Sequence, residues 1–417
     1  MTQAYYTGLS GLKNSSYGID IVSDNLANVN TIGYRGNNYE FSSLFEESIA
    51  TANRQESNTI GLGVSIQATP MTQTQGSYRV TDNSTDLAIL GDGWFGVQGE
   101  NEPLYTRNGA FTFNENSDLV TNEGYYVLGT KAGNIDGETL TEAIDSVDLG
   151  DVNAQEQLRF PKTLNYPATP TTLASFQGNI GTTPELRAMS ATVVDSNGTR
   201  NELRLEYTMS DPQPEIGTQR DVTATTRDIN DVKKVYDTQT GVVSFDETGA
   251  LISSSLTTID NNGTPVTIDL GSSYSGVVAI ANVPITSSSV TDGTIGGELR
   301  GYDINKNGEV IATFTNGKQS SVGRIAVYHF QNNQGLNRVS GTNFAVSPNS
   351  GNAVFYQDVN GNNVLGTDIT NFQLENSNVD MTTGLTELII LQRTYDANSK
   401  SITTADEMIQ KALNMDG

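Results

Sequence analysis

Apolar positions near the two ends of the chain fall at helical spacing, whereas those between them do not. From the front, Tyr5, Gly8, Leu12, Ser15, Ile19, Val22, Leu26 and Val29 follow alternating steps of three and four. Near the far end Leu388, Leu391, Tyr395, Ile402, Ala405, Ile409 and Ala412 do the same, with Asn398 as the one polar interruption. Each set traces a single narrow seam, the pattern of a coiled coil rather than of a helix buried all round. Asp396 with Lys400 and Glu407 with Lys411 supply i,i+4 pairs on the wet side. A helix with so narrow a seam is marginal alone, so each end is expected to partner the other. Gly8 and Ser15 leave room for close approach. The chain then goes out and comes back, with everything between nested inside. On periodicity alone, two amphipathic helices packing on separate cores is an equal alternative.

From Met71 the rhythm changes to short strands. TDNSTDLAILGDGWFGVQ and YTRNGAFTFNENSDLVTNEGYYVLG alternate β-rich runs with Gly, Asn and Asp turns. Trp94 and Phe95 read as strand residues stacking in a β core rather than as a ligand corner. From about Asp148 to Leu299 the chain is rich in Ser, Thr, Asp and Gly, with strand candidates at Glu202 to Tyr207, Gly241 to Phe245 and Gly276 to Ala281. Short strands with frequent turns predict a β-sandwich or barrel. Asn307-Gly308 and Asn316-Gly317 then mark hairpin turns in a returning β segment. The expected fold is mixed α and β, mainly β. Its parts are an N-terminal coiled-coil helix (1–33), a connector (34–70), an inner β domain in two pieces (71–147 and 300–376), an outer β domain inserted between them (148–299), and a C-terminal coiled-coil helix (377–417).

Charge narrows the function. Lys and Arg number 23 against 48 Asp and Glu, a net charge of -25, so nucleic acid and anionic membrane would be repelled. With no cysteine, disulfides, thiol catalysis and cysteine metal sites are excluded. No run reaches the roughly 20 apolar residues of a membrane-spanning helix. The opening segment has only Lys13 as a positive charge and no continuous apolar stretch, which is not the pattern of a secretory signal. His329 is the single histidine and lies in the strand-like run Val327-Tyr328-His329-Phe330, so it reads as structural. Asp303 to Gly308 matches the front of a calcium loop, but Phe314 stands where that loop needs a bidentate Glu, so a hairpin turn is expected. Nothing in the spacing selects a carboxylate pair for glycoside hydrolysis. No catalytic residue, metal or cofactor is expected.

Three blocks carry a resemblance. At the front stand Ser10-Gly11-Leu12, Asp24-Asn25-Leu26-Ala27-Asn28-Val29-Asn30-Thr31 and Gly33-Tyr34. At the back stand Ser377-Asn378-Val379-Asp380, Gln392-Arg393, Tyr395, Ala397-Asn398 and Asp406-Glu407-Met408. Inside stand Asp86 to Ile89, Gly91-Asp92-Gly93-Trp94-Phe95 and Tyr105 to Gly109. Together they resemble the bacterial flagellar rod and hook family. Phe41-x-x-x-Phe45 resembles the short aromatic element by which hook-type subunits engage the export gate, with plain packing as the competing reading.

The resemblance implies a structural subunit, not an enzyme, that stacks helically into a short curved tube joining rod to filament around an axial channel. Implied partners are further copies of the chain, rod proteins, hook cap and hook–filament junction proteins, and the flagellar type III export machinery. Implied location is the extracellular flagellum, reached without a cleaved signal peptide. Leu12, Ile19, Val22, Leu26, Val29, Leu388, Leu391, Tyr395, Ile402 and Ile409 would form the assembly seam; Asn25, Ala27, Asn28, Asn30, Thr31 and Gly33 the signature and connector. Asn14, Ser23, Asn25, Asn398 and Ser401 are candidates to line a wet channel. Bending would favour stiff units joined by the Gly- and Asn-containing connector. The acidic β insertion favours the hook-type member, with a rod subunit or hook-like paralogue as nearest rival. An acidic extracellular protein that binds carbohydrate is the alternative from outside the family.

Overall fold

The computed structural model describes residues 2–44, 47–48, 59–60, 63–100 and 102–415. The two end seams form helices α1, Thr2–Ala27, and α2, Met381–Met415. They pack against each other antiparallel: Gly8 faces Ile402, Gly11 faces Asn398, Gly18 faces Leu391, and Gly384 lies beside Leu26. The approach is close because α1 presents glycine. A Cβ added at Gly18 would sit 2.9 Å from Leu391 Cδ2, and one at Gly11 2.7 Å from Asn398 Nδ2. Each interior glycine costs about 1 kcal/mol of helix propensity, and close packing offsets that cost.

Local chemistry sets both junction ends of the helices. Asn28 stops α1 by folding its amide back onto the Asp24 carbonyl at 2.9 Å. Asp380 starts α2 as its N-cap, Oδ1 accepting the Thr383 N–H at 2.7 Å. That bond holds the Asp380 carboxyl below the usual range. A lowered folded-state value means the cap contributes fully above the unfolded value and fades as pH falls through the folded one. Asp380→Asn, which keeps an acceptor without the charge, should therefore differ from the parent in helical circular dichroism at neutral pH. The difference should shrink once pH drops below about 4; a constant difference would contradict the charge assignment.

Between the helices lie two hydrophobic cores. The first is built on a sheet system whose strands run in the order Ile135–Asp136, Thr139–Leu140, Asn165–Tyr166, Gly297–Ile304, Glu309–Phe314, Gln319–Ile325, Tyr126–Lys131, Trp94–Gln98, Pro103–Thr106, Asn343–Ala345, Asn337–Ser340. Strands from before and after the insertion interleave, as Gly129 opposite Ile325 and Tyr105 opposite Phe344. Trp94 packs edge-on to Phe344, centroids 5.0 Å apart, and Phe95 to Phe111 at 5.1 Å. Leu149, Leu158, Phe160 and Leu164 join this core, although they fall inside the span read as the outer insertion.

The second core gathers Ala174, Phe176, Leu203, Leu205, Tyr207, Val222, Phe245, Val266 and Val277 among others. One of its sheets is a five-stranded meander, Arg187–Val194 through Leu251–Ser254. The other mixes parallel and antiparallel pairs around Leu173–Asn179. Two sheets sharing one core make a β-sandwich. The turns Asn307-Gly308 and Asn316-Gly317 close hairpins, with both glycines at positive φ. The Asp303 to Gly308 stretch is such a turn: Asn305 Oδ1 accepts the N–H groups of Asn307 and Glu309.

Candidate assembly surface and helix-to-domain joint

The helix pair buries one face and leaves another bare. Val22 and Leu391 are buried; Leu12, Ile19, Leu26, Leu388, Ile402 and Ile409 are half-buried on the pair, and Val29, just past α1, is half-buried too. Tyr395, placed in the seam by its spacing, is exposed, as is Tyr5. Gly11 and Gly18 stand at the contact instead. Their signal in the sequence is small residues at 8, 11, 15 and 18, a stripe at helical spacing that an apolar count passes over. Away from the contact, Tyr6, Leu9 and Tyr17 on α1 and Leu385, Ile389, Ile390, Met408 and Leu413 on α2 remain uncovered. Ile389 is 57% exposed, Ile390 58% and Leu413 71%. Isolated exposed apolar residues are ordinary, but a run of them along one helix marks an interaction face.

The connector holds a defined ribbon. Glu40–Ser43 pairs antiparallel with Val64–Ala68, and the ribbon lies along α1. Asn14 Nδ2 donates to the Val64 carbonyl at 2.5 Å, and the Val64 N–H donates to Ser10 Oγ at 3.3 Å. Phe41 sits on this ribbon, exposed, its ring 5.1 Å from that of Tyr39. Phe45 lies outside the described residues. Asn14 and Asn25, candidates for a channel lining, spend their amides inside the chain. Asn25 clamps residue 37, accepting its N–H at 3.0 Å and donating to its carbonyl at 2.7 Å.

The signature residues from both ends converge on one joint. The Gly33 N–H donates to the Glu375 carbonyl at 2.8 Å, and Gly36 N–H to Asn378 Oδ1 at 2.8 Å. Asn378 Nδ2 in turn reaches the carbonyls of Thr72 and Thr74. Thr31 Oγ1 bonds Asn28 Oδ1 at 3.2 Å. Tyr34 donates to Asp24 Oδ2 at 2.9 Å, under the Arg338 guanidinium 4.6 Å from its ring. Ala27 and Asn30 are exposed at the end of α1.

At the centre sits a buried ion triad. Glu375, 1% exposed, offers Oε1 to Arg35 Nη2 at 2.8 Å and Oε2 to Arg107 Nη1 at 3.4 Å. Oε1 also accepts the Gly76 N–H at 3.0 Å. Arg35 leaves α1, Arg107 belongs to the first core, and Glu375 leads into α2, so one carboxylate ties three segments together. Burial pulls Arg107 down to about 10, against the opposing attraction of Glu375. Arg35 is lowered for the same reason. At this joint the Gly- and Asn-containing segment after α1 is tied to the other two segments by the bonds of Gly33 and Gly36 and by the buried Arg35 ion pair. Sequence spacing carried no hint of the triad, because Glu375 lies far along the chain from both Arg35 and Arg107. His329, buried, has its Nε2 2.6 Å from the Leu365 carbonyl and its ring against Tyr356.

Comparison with known proteins agrees across the length of the chain. Residues 6–35 match the family model described as flagella basal body rod protein, 88–158 that of the flagellar hook protein FlgE/F/G D1 domain, and 372–415 that of the flagellar basal body rod FlgEFG protein C-terminal. The flagellar hook protein FlgE of Brucella suis biovar 1 is 30% identical, with 98% of each chain covered. That of Borreliella burgdorferi is 27% identical over the whole of both chains. That of Escherichia coli K12 is 26% identical over 99% of this chain and 100% of the relative. The crystal structure of Helicobacter pylori flagellar hook protein FlgE2 shares the fold, with TM-score 0.50 over 70% of this chain and 99% of that one at 16% identity. Paired end helices, interleaved inner strands and a full-length match to these relatives converge on one assignment: the chain belongs to the flagellar hook protein FlgE family, a family of structural subunits.

Proposed function

We propose that this chain is the repeating unit of the hook, stacking helically into a short curved tube that carries torque from rod to filament and leaves an axial export channel. The observation that carries this reading is the uncovered apolar face of α1 and α2, left bare beside a tightly packed pair. Burying one such Leu or Ile against a neighbouring copy contributes about 1.5–3 kcal/mol, so a few per subunit hold a polymer. Because the joint at Glu375 is buried and ion-paired, bending falls to contacts between copies rather than to hinges within one. The second core, in the 174–279 segment, is then the outer domain, and this added domain favours the hook over the rod reading. Rod, hook cap and hook–filament junction proteins meet the two ends of the tube. The type III machine delivers the chain, and Phe41, exposed on its ribbon, is accessible to it.

Charging the bare face tests this. Ile389→Asp combined with Ile390→Asp should leave the purified monomer's thermal midpoint and helicity unchanged while abolishing hooks, with secreted monomer collecting in the medium. Hooks of normal number and length would overturn the proposal.

A further inference from the structure

Beside the joint lies a cavity of about 360 Å³. Arg35 and Arg107 form its walls and Met71 and Trp94 its apolar side, with Gln73 and Asp92 also lining it. Arg107 is 4% exposed, and its Nε has no hydrogen-bond partner in the structure. Its Nη1 faces Glu375 at 3.4 Å and its Nη2 donates to the Gly91 carbonyl at 2.7 Å. Glu375 is the one carboxylate within 4 Å of the two buried guanidiniums among the described residues, Asp92 attracts both from farther away, and burial outweighs these attractions at Arg107. The resident Asp92 is turned to other partners: Oδ1 accepts from Asn333 Nδ2 at 2.8 Å, and Oδ2 lies 3.7 Å from His329 Nδ1.

We propose that this cavity is a carboxylate socket that receives an Asp or Glu side chain from a second copy of the chain. The proposal rests on the reading of the chain as a homopolymer. Three features select the occupant. The walls carry two guanidiniums that share a single contacting carboxylate, Glu375, and a further carboxylate at the cavity wall would add a charge-assisted bond to them. An aliphatic stem of Asp or Glu length suits the Met71 and Trp94 side, as an inorganic anion does not. And in a chain with 48 acids against 23 bases, another copy is a ready source of carboxylates. Such a contact would also relieve repulsion between two strongly acidic subunits.

Trp94 is the only tryptophan and lines this cavity, so its emission is sensitive to what enters there. Titrating the full-length monomer with glutarate should change Trp94 emission saturably, while sodium chloride at equal ionic strength should not. Gln73 lines the cavity and makes no side-chain bond among the described residues, so Gln73→Glu supplies a competing carboxylate with little risk to folding; it should weaken glutarate at least tenfold. Asp92→Asn removes a resident charge and should strengthen it. A linear response, or one reproduced by chloride, overturns the socket. The second arm heats wild-type and Gln73→Glu hooks: the variant should depolymerise at a lower temperature. Glutarate binding together with unchanged hook melting would leave a free-anion site and overturn the role of the second copy. Wild-type chain that forms no hooks would instead overturn the polymer reading itself.

Discussion

Glu375→Ala should destabilise the first core and its attachment to the helices by about 3–5 kcal/mol, the usual cost of removing one partner from a buried ion network. The alanine leaves Arg35 and Arg107 buried together without their shared carboxylate, and strips the Gly76 N–H of its acceptor. Hydrogen exchange locates the loss. Amides at 33–38, 76–80, 107–110 and 373–380 should lose protection, while those of 174–279, in the second core, should keep theirs. Glu375→Gln tests the charge separately: it retains the side chain's size and one acceptor, so a loss nearly as large as that of alanine assigns the effect to the charge. Unchanged protection at the joint in both variants would contradict the role given to the triad.

Gly33→Ala should cost on the order of 3 kcal/mol, from two sources. The residue sits at φ +68°, the left-handed region that a Cβ disfavours. The Cβ would also lie 2.5 Å from Asn108 N and 2.6 Å from the Arg107 carbonyl carbon, backbone atoms that cannot swing aside. The chain leaving α1 would have to lift from the first core, drawing the Gly33 N–H away from the Glu375 carbonyl. Gly124→Ala is the matched control: its φ is +89° and nothing lies within 4 Å of the added Cβ. It should lose only the conformational part, about 1 kcal/mol. Denaturant midpoints of the two variants measure the difference. Equal losses would mean that the close approach at Gly33 does not matter.

These two residues mark what the sequence yields and what it withholds. The end helices were legible because bulky apolar side chains repeat at a helical period, and Val22 and Leu391 do meet the partner helix. The strands were legible from alternation and from Asn-Gly turns such as Asn307-Gly308. Gly11 and Gly18 were passed over because they work by lacking bulk. Tyr395 has the right spacing, but glycines opposite let the helices close until a large ring is left at the edge. Arg35, Arg107 and Glu375 each look like surface charges in their own segments; only the return of the chain brings them together. The composition change near Asp148 places Leu158, Phe160 and Leu164 in the outer domain, but they pack in the first core, since apolarity names no partner. Asn25 looked like a polar residue facing water, whereas its amide is spent on the backbone of residue 37. The bare face of α1 and α2 went unread, because the spacing at each end traces a single narrow seam.

The central claim is that the helix pair, left bare in one chain, is completed by other copies of the chain. Electron cryomicroscopy of hooks released from cells making this chain tests it directly. Leu385, Ile389, Ile390 and Tyr6 should be buried against neighbouring subunits around the channel, with the 174–279 segment outermost and the Glu375 triad intact in every copy. A tube in which those helix residues face open water, or in which the 174–279 segment forms the inner wall, would contradict it.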